Sequence, residues 1–371
     1  MKILIDGTFM KPEYNRSIDV YILRLIKGFL EHGDVQITVY GDSEGIRNLE
    51  CNLGRTVEKI ILSEKDKSFS RSKFRRYFGQ IPFIKEIVRR KFDIVLVPMI
   101  SSYCCVFPRR CNEFAVIHDL FQLRKMKENL GKLRYLYEKF YFWCLCRHMK
   151  GIIAISGIVQ DQVYRFCGKK ASLVYNSIPF FVNRVTSLEP IIEGKYILDV
   201  NRLDPEKNPM TLLNAFSMIA DRVPHKLYFK GTRKTPHYEE LVAAIKEKHL
   251  ENRVILDTSS LSDVQMASLY SNADLLVSPS LMEGFGYTPI EAAIYQVPVL
   301  VSDIDTLREV TRGKLDFFNP SSVEELAEKM LNKLFNPPSE EQLYEIANFF
   351  LNEYSLQRQV ESMLNVFKKV L

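Results

Sequence analysis

Two glutamates, Glu283 and Glu291, stand eight residues apart in the run SPSLMEGFGYTPIEA (278–292), on either side of Gly284-Phe285-Gly286. Carboxylates at this spacing suit a site that holds hydroxyl groups, and the glycines between them let backbone N–H groups approach and face an anion. Earlier in the chain, VNRLDPEKNPMTLLNAF (200–216) carries Arg202 and Lys207, two cations able to neutralise a diphosphate as charge builds on its oxygens. The same residues admit plainer roles. Glu283 also suits a solvated loop, Glu291 a first helical turn whose dipole it complements, and an Arg/Lys pair an ordinary surface loop.

Each candidate needs a strand behind it and a helix in front. Asp274–Ser278 is a short apolar run closed by Pro279 and suits a buried strand, while Pro289 and the alanines after it suit a helix start. Ligands bind at such turns in open α/β sheets, at the carboxyl ends of the strands. Strand-like runs alternate with helical patterns throughout the first half: Lys2–Asp6, a helix near Ile18–Glu31, Val35–Tyr40, Lys59–Leu62, Phe92–Pro98, Glu113–His118, a long helical stretch to Lys150, Ile152–Ile155 and Ser172–Tyr175. The irregular segment PFFVNRVTSLEPIIEGK interrupts them, and the alternation restarts at Tyr196–Val200. The pattern predicts two doubly wound parallel-sheet domains, residues 1–180 and 196–354, joined by a linker at 181–195. The tail from Ser321 reads as three helices, separated near Asn336-Pro337-Pro338 and at Glu353-Tyr354-Ser355.

The composition, 46% hydrophobic and 26% charged over 371 residues, is that of an ordinary globular chain. All seven cysteines lie in the first half, and no signal peptide is legible at Met1, so a reducing cytoplasm is expected. Cys144-Leu145-Cys146 is half a metal site at most, since no second Cys/His pair stands at zinc-like spacing. The net charge of +6 conceals a split: residues 1–184 hold 32 Lys+Arg against 18 Asp+Glu, and residues 185–371 hold 19 against 27. Ten basic residues and five aromatics crowd into 65–91, KDKSFSRSKFRRYFGQIPFIKEIVRRK. Such a segment suits peripheral contact with anionic lipid; a solvated helix with aromatics in the core and a nucleic-acid-binding surface are the alternatives. No apolar run is long enough to span a bilayer, the nearest being Tyr135–Ile155, which five charged or histidine residues interrupt.

Taken together, the two motifs resemble the retaining glycosyltransferases of family 4, the group 1 glycosyl transferases. The resemblance is best over 195–320: Arg202 to Asn208, LYFKGTRKTPHYEEL with Gly231, LYSNADLLVSPSLMEGFGYTPIEA, PVLVSDIDTLREV and FFNP. In the first half, His118-Asp119-Leu120, the strand-helix junction at Ser156 and VYNSIP fit more loosely, and YSLQRQVESMLNVFKKVL is similar to the family's final helix. The resemblance implies the GT-B fold, two facing Rossmann-like domains with a cleft between them, with residues 355–371 packing back on the first. It also has departures. Asn201, Ser177 and Gln296 stand where the family usually has Gly, and PEYNRSID (12–19) replaces a Gly-rich loop, leaving Arg16 as a side-chain substitute for backbone phosphate donors. An asparagine tolerates left-handed backbone geometry, whereas Gln296 calls for a changed turn or strain.

Carried over residue by residue, the resemblance implies that Arg202 and Lys207 hold the donor diphosphate and that Glu291 binds the ribose. Glu283 contacts sugar hydroxyls, helped by backbone N–H groups near Gly284, Phe285 and Gly286. His118 lies beneath the transferring sugar as an orienting or charge-stabilising group; without the resemblance, a histidine after a strand is more often structural. The implied reaction transfers a hexose, mannose being slightly favoured, from a GDP- or UDP-linked donor to a lipid-linked saccharide or polysaccharide precursor. No cofactor and no metal are implied, and Asp303-Ile304-Asp305 is read as structural. The expected setting is the cytoplasm at the inner face of the membrane, with no nucleic-acid partner. A sugar phosphorylase, a nucleotide-sugar epimerase, or a non-enzymatic basic protein binding membrane or nucleic acid are the competing readings.

Overall fold

In the computed structural model, residues 1–8, 10, 17–61, 90–99, 112–120, 131–178, 188–231 and 236–371 are described. Arg16 and nearly all of the basic segment 65–91 lie outside them, as does the first part of the expected linker. The chain divides into two compact units, one of Met1–Ser177 with Leu356–Leu371, the other of Ile178–Ser355.

The first unit is a seven-stranded parallel sheet of β1 (Lys2–Asp6), β2 (Gln36–Gly41), β3 (Glu58–Ile61), β4 (Ile94–Val97), β5 (Asn112–Ile117), β6 (Gly151–Ala154) and β7 (Ser172–Leu173). Its order is β3-β2-β1-β4-β5-β6-β7, the doubly wound arrangement whose direction reverses between β1 and β4. The central strands β1 and β4 are short and almost wholly apolar because a parallel sheet is covered on both faces, and Ile3, Leu4, Ile5, Ile94, Val95 and Leu96 are completely buried. Its described helices are α1 (Ser17–His32), α2 (Ser43–Leu53), α3 (Lys132–His148) and α4 (Gly157–Cys167). Asp42 caps α2 by accepting from Glu44 N, and Ser156 caps α4 by accepting from Val159 N. The edge strands β3 and β7 fall at the expected runs Lys59–Leu62 and Ser172–Tyr175, whereas the helix α2 was not anticipated from sequence.

The second unit repeats the plan with β8 (Tyr196–Val200), β9 (Lys226–Lys230), β10 (Val254–Asp257), β11 (Leu275–Ser278), β12 (Val299–Ser302) and β13 (Asp316–Phe318), in the order β10-β9-β8-β11-β12-β13. Around it lie α5 (Pro209–Ile219), α6 (Pro236–Glu247), α7 (Asp263–Ser271), α8 (Tyr287–Ile294), α9 (Asp305–Thr311), α10 (Val323–Phe335) and α11 (Glu340–Glu353). Leu212, Phe216, Leu227, Phe229, Val277, Leu300, Phe318 and Met330 form one continuous core. The segment just before β8 is fastened to α7, where Ser268 Oγ donates to Glu189 O at 2.7 Å and Asn272 Nδ2 to Leu188 O at 3.2 Å.

The last helix, α12 (Leu356–Lys368), belongs to the first unit. It lies so close to α1 that a Cβ on Gly28 would sit 2.6 Å from Val360 Cγ2, so only glycine fits there. Phe367 packs against Phe114 with ring centroids 4.9 Å apart and against Phe29 at 6.5 Å. Gln359 is buried and its Oε1 accepts from both Ser177 N, at 3.2 Å, and Ser177 Oγ, at 2.7 Å. The hydroxyl of Ser177, in a place where glycine is usual, thus has a structural use. Gln359→Leu strands both Ser177 donors in an apolar site, so urea unfolding is expected to show a loss of about 1–3 kcal/mol.

Candidate functional site

The residues singled out by spacing fall at the carboxyl ends of β8, β9 and β11. β8 and β11 are hydrogen-bonded neighbours in the sheet, yet the chain leaves them toward helices on opposite faces. A crevice opens at such a reversal, and this is where doubly wound sheets hold ligands.

After β8 the chain makes a single turn of 3-10 helix at Pro205–Lys207 and then places Asn208 at φ 56°, a left-handed residue that starts α5. Asparagine tolerates that conformation, and its side chain locks it: Nδ2 donates to Pro320 O at 3.0 Å while Oδ1 accepts from Thr211 Oγ1 at 2.8 Å. The left-handed residue of this loop is therefore Asn208. Asn201 keeps ordinary backbone geometry and instead donates through Nδ2 to Asp199 Oδ1 at 2.5 Å.

After β11 the chain turns through Glu283 to Gly286, which has φ +90° and begins α8. A Cβ there would meet Leu307 Cδ2 at 2.6 Å, so both conformation and space require glycine. Between the two glycines Phe285 turns inward, 2% exposed, and meets Tyr354 edge-on at 5.4 Å. Three contacts join this segment to the β8 loop. Leu281 N donates to Glu206 O at 2.9 Å, Thr288 Oγ1 to Val200 O at 3.0 Å, and Lys207 Nζ to Glu283 Oε1 at 2.5 Å.

The last contact decides between the readings of Glu283. With side chains only 16% and 11% exposed, Lys207 and Glu283 form a largely desolvated ion pair, unlike a solvated loop acid. Glu291 likewise departs from the plainer reading: it is the fifth residue of α8, is buried, and accepts at Oε2 from Tyr270 Oη at 2.7 Å. Tyr270 lies flat against Tyr295, with centroids 5.8 Å apart and planes 8° apart. Burial and the Glu291 carboxylate hold its hydroxyl well above the usual range, so it remains a donor. Arg202 is more open and pairs with Asp204 at 3.2 Å. Gly231 closes β9, its N–H donating to Asp257 O at 2.8 Å.

His118 belongs to the first unit, just past β5. Its Nε2 faces Pro98 O at 2.9 Å and Tyr21 meets its ring edge-on at 4.6 Å. A carbonyl only accepts, so Nε2 carries the proton. Burial pushes His118 below its usual pKa, against the opposing effects of the Pro98 bond and the Asp119 charge, and the ring is neutral with its lone pair on Nδ1.

Asp303, read as structural, is held by both guanidinium arms of Arg308, and that pairing lowers its pKa. Among the described residues no three His, Cys, Asp or Glu side chains gather as a metal site requires. Gln296 does take the left-handed conformation, with φ 63°, in the turn after α8.

Sequence reasoning missed Asp199, on β8, although a carboxylate inside the apolar strand YILDV is itself a signal. It is 1% exposed, and its Oδ2 has no hydrogen-bond partner among the described residues. Burial pushes it up to about 7, with Asn201 and Lys207 opposing and Glu283 reinforcing the shift. Tyr270 and Thr288 were also missed, for no local pattern marks them.

Comparison with known proteins follows the same division. Residues 189–348 match the family described as glycosyl transferases group 1. The chain is 29% identical over 234 residues to the serotype-specific mannosyltransferase WbdA of Escherichia coli, an alignment covering 58% of this chain and 28% of WbdA. It is 29% identical over 153 residues to the N-acetylgalactosamine-N,N'-diacetylbacillosaminyl-diphospho-undecaprenol 4-alpha-N-acetylgalactosaminyltransferase of Campylobacter jejuni, covering 40% of this chain and 39% of that protein. The chain therefore spans well under half the length of either relative. The crystal structure of Anabaena Alr3699/HepE in complex with UDP superposes with a TM-score of 0.74 at 16% identity, covering 100% of both chains. That likeness shows the fold, GT-B with its two parallel-sheet units.

The Asp199 proton gives the site a pH signature. Unfolded, the carboxyl titrates near 3.8; folded, near 7. The proton's contribution to stability is complete below the lower value and lost as pH rises through the upper one. Relative to Asp199→Asn, wild type is expected to lose about 2–3 kcal/mol of unfolding free energy between about pH 5 and pH 8. Urea titrations of both proteins at several pH values measure this, and parallel profiles would refute it.

Proposed function

We propose, from the match of residues 189–348 to the glycosyl transferases group 1 family, that the chain transfers a hexose from a nucleoside-diphosphate sugar to a hydroxyl of a lipid-linked saccharide or polysaccharide precursor, with retention of anomeric configuration. The observation that carries the reading is the largely desolvated Lys207–Glu283 pair, with Arg202 on the same loop, at the reversal point of the second sheet.

Arg202 and Lys207 take the donor diphosphate. As the bond from the sugar's anomeric carbon to phosphate breaks, negative charge grows on the departing oxygen, and cations already in place stabilise it with little reorganisation. Glu283 holds Lys207 and presents its carboxylate to sugar hydroxyls. The N–H groups from Gly284 to Gly286 and the start of α8 favour the anionic part of the donor. Glu291, oriented by Tyr270, binds ribose hydroxyls, and Gly231 leaves room beside the nucleoside. Arg16 adds charge at the phosphates.

The acceptor hydroxyl attacks the anomeric carbon on the face the diphosphate leaves, and its proton passes to the leaving phosphate. One carbon–oxygen bond forms as one breaks, and no protein general base is required. His118, neutral, orients the sugar or stabilises charge near the reacting carbon. The two cations do the work a metal ion does in other transferases, so the reaction proceeds without one. Mannose is favoured by the name of WbdA, and GDP- and UDP-linked donors both suit the site. The Campylobacter relative, named for a diphospho-undecaprenol substrate, supports a lipid-linked acceptor. A cytoplasmic enzyme at the inner membrane face fits, and no described helix is long and apolar enough to cross a membrane.

A thermal-shift panel of nucleoside diphosphates and nucleotide sugars tests the donor. A ligand at a hundredfold its Kd adds about 2.7 kcal/mol, and Glu291→Ala is expected to abolish most of that response. No response across the panel would refute the reading. With donor and acceptor in hand, Lys207→Gln and Arg202→Ala are each expected to lower kcat by about 10²–10³. Proton NMR of the product reads its anomeric configuration, and an inverted product would exclude the retaining mechanism. Activity is expected to survive EDTA; loss restored by a divalent cation would exclude metal independence.

A further inference from the structure

The helix α3 is apolar on two faces. Leu145 and Cys146 are buried on one. On the other, Leu133, Leu136, Tyr137, Phe140 and Trp143 are exposed by 85%, 50%, 45%, 63% and 38%. At 100° per residue these five fall within an arc of about 120°, centred opposite the buried face. Phe140 and Trp143 lie nearly parallel, 17° apart, and the Arg147 guanidinium sits over Trp143 at 5.6 Å.

The charges on this helix are one-sided. Lys132, Arg134, Lys139 and Arg147 are exposed around the apolar arc, while Glu138, its one acid, is buried. A nucleic acid would reward the cations but leave the aliphatic side chains in water. A second copy apposed through the same face would bring lysine and arginine onto lysine and arginine. An arc of leucine and aromatic rings bordered by cations matches an anionic lipid surface, where rings and alkyl chains enter the interface and cations meet headgroups.

We propose that α3 docks on an anionic membrane by this face, lying on the surface rather than crossing it. The inference goes beyond the transferase reading and needs neither donor nor acceptor, so either can fail without the other. It also differs from the expectation that residues 65–91 make the contact.

Trp143 is the single tryptophan in the chain, so its emission reports directly on this face. Vesicles of phosphatidylcholine with phosphatidylglycerol are expected to shift the emission to the blue, with quenching by lipids brominated on their tails. Pure phosphatidylcholine should bind about tenfold more weakly or less. The Leu136→Glu/Phe140→Glu double variant, changed only at exposed positions, should keep its melting temperature and lose vesicle binding about tenfold or more. Unchanged Trp143 emission with cosedimenting wild type would overturn the proposal and return the contact to another surface. So would an absence of vesicle binding, or self-association that the double variant abolishes.

Discussion

The Lys207–Glu283 ion pair joins loops that follow two adjacent parallel strands yet lie 76 residues apart in the chain. A pair this desolvated is secure only while both partners remain, since either charge alone in that setting costs several kcal/mol. The surrounding structure is arranged to keep them. Asn208 turns the lysine loop, Gly286 admits the sharp entry to α8, and Thr306 Oγ1 donates to Glu283 O at 3.1 Å. Behind them Phe285 is held against Tyr354, whose hydroxyl donates to Val310 O at 2.5 Å, so the glycine-flanked segment is anchored from the helical side as well.

Both sheets bury a carboxylate near the end of their first strand. Asp6 on β1 accepts at Oδ1 from Thr8 N, at 3.0 Å, and Thr8 Oγ1, at 2.6 Å, and burial raises its pKa. Asp199 on β8 accepts from Asn201, and burial raises its pKa as well. In each the second oxygen has no partner among the described residues. Half-satisfied acids in a sheet interior oppose stability, and natural proteins keep such conflicts chiefly where binding depends on them.

Much of the fold was legible because parallel strands buried on both faces are short apolar runs, and Lys2–Asp6 and Tyr196–Val200 fall where periodicity put them. The spacing of Glu283 and Glu291 was legible for a similar reason: glycine and proline mark the turn. The partner of Glu291 was not. Tyr270 reaches Glu291 from another helix, and nothing near Tyr270 in the sequence announces it. α3 was read as helical, but its second apolar face was hidden, because apolar residues on both sides cancel the one-sided pattern by which burial is usually inferred. Residue type showed only that Asn201 could tolerate a left-handed turn; the structure places that turn at Asn208, where side-chain bonds to Pro320 O and Thr211 Oγ1 hold it.

The first unit is discontinuous: its last helix is separated from the rest of it by the whole of the second unit. During synthesis the apolar seam of α1, with Gly28 at its centre, emerges long before Val360, Leu364 and Phe367 exist to cover it. The second unit is continuous and can complete its core first. Ribosomal order therefore reverses structural order, and the amino-terminal unit is the last to close. A premature stop after α11 leaves one finished unit and one with an open core, a species exposed to aggregation and proteolysis even though every candidate donor-binding residue has already been made.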